Sequence, residues 1–404
     1  MRIPCLLLCM HAPDALAIAA SGDPAIPDTT DAATKPEATA AGIDAASIAR
    51  AARATHRVPG LVCAIVDKDG LRAVGADGIR AAGAADPLTV DDRMHLGSCT
   101  KAFTATLAAA MVADGTLHWD STVGEVLGKA FPAMHDRWRA VTLEQLLRHR
   151  GGAPANAHPD DWSAAWACTD SPRACRAAFV GAMFGRTPAE APGTFVYSNQ
   201  GYAIAGHMME TVAGEEYEAL LARRVLGPLG ITHAGFGPPT RAEPGSPAGH
   251  DDDGTVRDID NPAAIAPAGL LHMPVGEWAR FVAFHLGATP PKELAGAAAQ
   301  LGRLHAPSDG VPREALGWKT AERPWGGAVL MHAGSNTKWY CVAWLAPEKG
   351  FAILAVTNQG GDAAARACDD ACAALIGARA KENEAPAPRA GEPAPRAGDP
   401  APHN

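Results

Sequence analysis

The apolar residues of this chain repeat with two different periods, and the change from one to the other outlines its architecture. Leu61 to Val66 is a continuous apolar run, Lys68-Asp69-Gly70 is a turn, and Leu71 to Val74 resumes the run, which predicts a β-hairpin. A helix from Ile43 to about His56, followed by Pro59-Gly60, precedes it. Near the other end, Trp339 to Leu345 and Phe351 to Thr357 flank the turn Pro347-Glu348-Lys349-Gly350. Asp362 can then cap a closing helix that runs to about Ala378. Strands at both ends, with helices to cover them, predict one mostly antiparallel sheet assembled from the two termini.

The middle is largely helical. Ala102 to Ala113 is almost wholly apolar, which marks a buried central helix rather than an amphipathic surface one. Thr142-Leu-Glu-Gln145 ahead of Leu146-Leu147 is a capping-box pattern, with Gly151-Gly152 as a stop. Tyr202, Ala205, Met208, Met209 and Val212 repeat at helical spacing up to Gly214, and Tyr217, Leu220, Leu221 and Val225 mark a further helix. Residues 235–270 carry many Pro, Gly and Asp residues and read as a long loop region.

Both ends of the chain depart from these patterns. Arg2, the apolar stretch Ile3 to Met10 and Ala15-Leu16-Ala17 predict a signal peptide over residues 1–20, which places the protein in the periplasm or outside the cell; an unstructured cytoplasmic leader is the alternative. Residues 21–41 read as a linker, and the Pro/Ala near-repeats of 381–404 as a disordered tail. The folded domain is expected over 42–380, with a sheet part at 42–95 and 312–380 and a helical part at 96–311. With 404 residues, 47% of them apolar and 20% charged, the chain can bury a large core. Its formal net charge of −9 argues against sequence-independent nucleic-acid binding. There is no run of 18 apolar residues, so no transmembrane segment is expected.

Three short elements carry candidate chemistry. Ser98-Cys99-Thr100-Lys101 stands immediately before the buried helix. Three-residue spacing puts Ser98 and Lys101 on one helical face, so the amine can reach a hydroxyl that is a weak nucleophile without help. A lysine desolvated among alanines has a lowered pKa and can share in proton transfer. The alternative is an N-cap serine beside a solvated lysine. Tyr197-Ser198-Asn199 is the second element: a tyrosine near a lysine can act as general base and then acid, and Asn199 can bond a substrate amide. A buried tyrosine and an N-cap asparagine are the bland reading. The third is His332-Ala333-Gly334-Ser335, where the Ser335 amide can pair with that of Ser98 as an oxyanion hole, against a structural histidine on an apolar strand.

In their order and surroundings these elements resemble the serine β-lactamase and penicillin-binding-protein superfamily, in the branch of class C β-lactamases, a D-alanyl-D-alanine carboxypeptidase and related esterases. Gly97-Ser-Cys-Thr-Lys-Ala-Phe-Thr-Ala105, Val141-Thr-Leu-Glu-Gln-Leu-Leu147, Tyr197-Ser-Asn199-Gln-Gly-Tyr202, Pro228-Leu-Gly-Ile231 and Val356-Thr-Asn358 all look like family segments, and the likeness covers most of residues 56–379. It implies an α+β fold of the β-lactamase/transpeptidase-like type, an antiparallel sheet flanked by helices and packed against an all-helical part. It implies Ser98 as acylated serine, Lys101 and Tyr197 as its activators, and Asn199, His332, Gly334 and Ser335 as substrate-binding positions. The expected ligand is a small-molecule or peptide substrate, with no cofactor and no metal. The activity implied is a serine hydrolase acting through an acyl-enzyme on ester, amide or β-lactam carbonyls; a D-amino-acid peptidase and a non-catalytic peptidoglycan sensor are the alternatives. One departure matters: class C β-lactamases usually have Lys-Thr-Gly where this chain has His332-Ala333-Gly334. That weakens the site for the carboxylate that penicillins and peptidoglycan stems present.

The nine cysteines add little. Cys168 and Cys175 lie close enough to pair in an oxidising compartment. Cys63 and Cys341 approach one another if their strands are adjacent, and otherwise pack the core. Cys99 reads as a small buried residue on the far face of its helix, with redox sensitivity as the alternative. His250-Asp251-Asp252-Asp253-Gly254 lacks the spaced ligands of a calcium loop and reads as a solvated turn.

Overall fold

A computed structural model describes residues 42–243, 245–308 and 313–384. The expected signal peptide and linker, residues 1–41, and residues 385–404 of the expected tail lie outside the described residues, whereas residues 381–384, also expected in that tail, belong to the closing helix. The strands are β1 (Gly60–Asp67), β2 (Gly70–Gly78), β3 (Arg93–His95), β4 (Gly235–Phe236), β5 (Gly249–His250), β6 (Val256–Arg257), β7 (Leu271–Pro274), β8 (Lys319–Arg323), β9 (Gly327–Ser335), β10 (Tyr340–Ala346) and β11 (Phe351–Thr357). Six of them form one sheet in the order β2-β1-β11-β10-β9-β8, and every pair in it is antiparallel. The hairpins from the two ends meet at β1 and β11, with Leu61 opposite Thr357 and Asp67 opposite Phe351.

Two-residue alternation divides the sheet's side chains between two cores. Leu61, Cys63, Ile65, Trp344 and Ile353 face helices Ala45–His56 and Gly361–Glu384. Val62, Ala64, Cys341, Ala343, Leu354 and Val356 face the other way, into the core shared with Phe103, Leu107, Tyr202 and Phe281 of the helical part. This explains why β1 and β11 read as continuous apolar runs: both faces are covered. His332 lies opposite Ala343, and Gly334 opposite Cys341, so both belong to the face that meets the helical part.

Several boundaries differ from the sequence reading. The first helix starts at Ala45 rather than Ile43, with Asp44 as its cap, accepting from the Ser47 amide at 3.0 Å. The closing helix starts at Gly361 with Asp362 inside its first turn, and continues to Glu384. Residues 235–270 are not a plain loop. They hold β4, the β5/β6 hairpin and the short helical turns Ala263–Ile265 and Ala266–Gly269. Their polar composition hid these elements, because each is only two to four residues long. Cys63 and Cys341 are separated by β11 and point to opposite faces; Cys341 instead lies with its sulfur 3.5 Å from that of Cys99. Cys168 and Cys175 form a disulfide. No helix among the described residues is long and apolar enough to cross a membrane.

Candidate active site

Ser98 sits in a tight 3₁₀ turn, Gly97–Cys99, that runs straight into helix Thr100–Ala113. The turn is made by Gly97, whose φ of +45° is left-handed and suits a residue without a side chain. Thr100 then pins it, donating to the Gly97 carbonyl at 2.7 Å and accepting from the Leu271 amide at 3.2 Å. Lys101, one residue on, has no solvent-exposed surface.

The Lys101 amine, Nζ, has three polar neighbours. Ser98 Oγ lies at 3.1 Å, Asn199 Oδ1 at 2.7 Å and the Ala268 carbonyl oxygen at 2.8 Å. Neither of the last two can donate, so each takes one N–H from the lysine. A neutral amine has two hydrogens and one lone pair, and the lone pair is then left for Ser98. Burial drives the lysine pKa down to about 7, so the neutral form is well populated at neutral pH. Asn199 thus acts on Lys101. It is the first residue of helix Asn199–Ala213, and Ser198 caps that helix through the Gly201 amide, so the asparagine side chain is free for this contact.

Tyr197 completes the cluster from the extended residues before that helix. Its ring centre is 4.9 Å from Lys101 Nζ, and its hydroxyl hydrogen-bonds with Ser98. Burial pushes the phenol pKa up, with the Ser98 hydrogen bond opposing, so Tyr197 stays protonated at neutral pH. Its ring packs on His149, with centroids 4.3 Å apart. His149 is buried, adopts a left-handed φ of +58°, and accepts from the Ser198 amide at 3.0 Å. Burial, helped by Lys101, holds its pKa well below the usual histidine value, so it is a neutral prop for Tyr197 and Ser198.

The third element closes the site from β9. A β-carbon on Gly334 would lie 2.1 Å from the Leu96 carbonyl oxygen and 2.9 Å from the Ser98 nitrogen, so glycine is required for the strand to come this close. The amides of Ser98 and Ser335 therefore belong to adjoining backbone segments. His332 is buried, and its Nδ1–H donates to the Gly317 carbonyl at 2.7 Å. Burial, with Lys101 nearby, takes its pKa down to about 3. It is a neutral imidazole and brings no positive charge to a substrate carboxylate.

The structure also brings in Glu314, which no sequence pattern marked. Its carboxyl is buried, lies 3.7 Å from Lys319, and is raised by burial to about 7 with Lys319 opposing. Lys319 Nζ in turn stands 6.0 Å from the centre of the Tyr197 ring. Both flank a site that is otherwise built from neutral groups.

The fold and the cluster between sheet and helical part define a protein of the β-lactamase/transpeptidase-like class. The chain belongs to the Beta-lactamase family, whose model matches residues 45–377. It is 29% identical over 245 residues to the Unguisins hydrolase ungD of Aspergillus violaceofuscus, covering 56% of this chain and 42% of that protein. It is 31% identical over 182 residues to Penicillin-binding protein 4 of Amycolatopsis lactamdurans, covering 45% of each. The chain thus spans less than half the length of these curated relatives. Among solved structures, a class C beta lactamase from Rhodobacter sphaeroides superposes with a TM-score of 0.69 at 19% identity, covering 82% of this chain and 99% of that one, which shows the shared fold.

Proposed function

We propose that this protein is a serine hydrolase that works through an acyl-enzyme, with Ser98 as nucleophile. The observation that carries the reading is the placing of Lys101 Nζ: two fixed acceptors take its hydrogens and leave its lone pair for the Ser98 hydroxyl at 3.1 Å. Lys101 is the group that accepts the serine proton, because its pKa of about 7 lets it be neutral while the Tyr197 phenol keeps its own proton. Tyr197 gives its proton to the leaving group as the acyl-enzyme forms and takes back the one that Lys101 accepted, so both groups end as they began. The Ser98 and Ser335 amides hold the oxyanion. Water then releases the acid and regenerates the serine.

The substrate we favour is an ester or amide rather than a β-lactam. A neutral His332 and an alanine at position 333 offer little to the carboxylate that a penicillin carries. The names of the relatives, a hydrolase and a penicillin-binding protein, are in keeping with either side of that choice. Export is the compartment we favour, since the Cys168–Cys175 disulfide suits an oxidising environment.

The test compares hydrolysis of a p-nitrophenyl ester with that of a chromogenic cephalosporin, using Ser98→Ala as blank. Ester cleavage that vanishes in Ser98→Ala supports the assignment, and retained cleavage would sink it. A cephalosporin kcat/KM equal to or above that of the ester reverses the substrate preference. Stable acylation by penicillin without turnover, seen as a mass increase on the intact protein, points to a slow peptidase instead.

A further inference from the structure

We propose that Asp260 is a positioning residue for the oxyanion hole, its one carboxylate holding both of the backbone turns that supply the Ser98 and Ser335 amides. This rests on the assignment of those amides made above. Three segments far apart in the chain meet at this point. His95 ends β3, Asp260 lies between β6 and β7, and Asn336 follows β9. All three are buried.

On one side, His95 Nε2 lies 2.6 Å from Asp260 Oδ2, and the Gly97 amide donates to His95 Nδ1 at 3.0 Å. A ring nitrogen that accepts cannot also carry a proton, so the His95 proton is on Nε2 and is given to Asp260. The carboxylate thereby sets the tautomer, and the tautomer sets the direction of the Gly97 N–H, one residue before Ser98. On the other side, Asn336 Nδ2 donates to Asp260 Oδ1 at 3.0 Å. The Asn336 side-chain oxygen accepts from the Lys338 and Trp339 amides, both at 3.1 Å, which fixes the turn that begins directly after Ser335. Asp260 Oδ1 takes the Asn261 amide as well, at 2.8 Å.

Both arms need an acceptor-only group at the centre. An amide in place of the carboxylate keeps the shape but must present one N–H. Facing His95, that N–H forces the ring proton onto Nδ1, where it opposes the Gly97 amide. Facing Asn336, it meets the Asn336 N–H and the Asn261 amide. In either orientation one turn is released. Misplacement by a fraction of an ångström is enough to weaken an oxyanion hole, because its donors act only when aimed at the developing charge.

The experiment follows single-turnover acylation of the full chain by a p-nitrophenyl ester. Asp260→Asn is expected to acylate about 100-fold more slowly, with the apparent dissociation constant of the ester changed less than about threefold. His95→Gln, whose carbonyl can accept from Gly97 while its N–H reaches Asp260, is expected to recover most of the rate, and His95→Phe is not. A purely structural role would move neither the rate-against-binding split nor the glutamine rescue. Should Asp260→Asn fail to fold, His95→Phe and Asn336→Leu each cut one arm and carry the same comparison. Acylation within about twofold of the parent in folded Asp260→Asn, or in both His95→Phe and Asn336→Leu where Asp260→Asn does not fold, overturns the proposal. Parent acylation that survives Ser98→Ala overturns the assigned function instead, so the two failures are told apart.

Discussion

A β-carbon placed on Gly97 would lie 2.4 Å from the backbone nitrogen of Ser335, so the turn carrying Ser98 and the end of β9 touch backbone to backbone. The same contact seen from the strand puts a Gly334 β-carbon 2.1 Å from the Leu96 carbonyl oxygen. No flexible side chain stands at either point to move aside. Gly334→Ala must therefore push the strand and the turn apart, and with them the two amides that would hold an oxyanion. The expected outcome is a loss of about 100-fold in kcat/KM for the ester, with a stability cost of about 1–3 kcal/mol from overpacking. Kinetics and urea unfolding on one preparation check this. A variant with parental kcat/KM would show that the close approach is packing alone.

The pH dependence of acylation follows from Lys101. Its ammonium has no lone pair for the serine proton, so kcat/KM falls about tenfold per pH unit below the lysine pKa and is flat above it. With that pKa near 7, the rise should end close to neutrality, and the Tyr197 phenol, pushed upward by burial, should add no inflection in the same range. Glu314 raises the lysine pKa when ionised. Glu314→Gln removes that anion, so the inflection should move to lower pH. A pH–rate profile of both proteins decides it; an inflection near 10 in the parent would mean that Lys101 titrates near its ordinary value and would rule out its lowering by burial.

Much of this site was readable from the chain, for identifiable reasons. Ser98 and Lys101 are three residues apart on a helix, and helical spacing alone brings them together. The alanines around Lys101 announced its burial, and burial is the main cause of its lowered pKa. The antiparallel sheet was readable because β1 and β11 are apolar on both faces. What spacing could not show was contact between remote segments. The Ala268 carbonyl that fixes the direction of the Lys101 lone pair lies in a stretch that looked like loop. Glu314 and His149 sit in no periodic pattern, and the Cys341–Cys99 neighbourhood depends on β9 and β10 crossing the nucleophile turn. For His332 the sequence shows only that the usual lysine is missing; burial, with Lys101 nearby, is what makes the ring neutral, against the opposing effect of its bond to the Gly317 carbonyl.

That neutrality has its own consequence. A histidine titrating near its ordinary value would gain charge between pH 8 and 5 and would then favour a substrate bearing a carboxylate. At about 3, His332 does not change charge in that interval. The ratio of KM for a carboxylate-bearing ester to KM for its uncharged analogue should therefore vary with pH in the same way in the parent and in His332→Gln, which keeps a donor for the Gly317 carbonyl. An additional inflection near 6.5 that appears in the parent and not in the variant would show a charged histidine at work.

Away from the site, the helical part is tied together by a buried ion cluster whose removal has a predictable sign. Arg176 is buried and pairs with Glu210 and with Glu218, the latter at 2.5 Å, while its guanidinium also reaches the Ala263 carbonyl at 3.4 Å. Glu210 bonds His207 at 2.7 Å and the Tyr217 amide at 3.1 Å. Arg176→Met leaves the buried Glu210 and the partly buried Glu218 without their cation, at a cost of about 3–5 kcal/mol. Burial already raises the Glu218 pKa, and Arg176 opposes that rise. Without the arginine the folded-state Glu218 pKa moves further above that of the unfolded chain, so the folded state binds more protons. Stability then falls as pH increases through those values and is partly regained as pH decreases. Urea unfolding at pH 8 and at pH 5 should show a large deficit for Arg176→Met at the higher pH and a smaller one at the lower. An equal deficit at both would mean that the arginine contributes by filling space rather than by its charge.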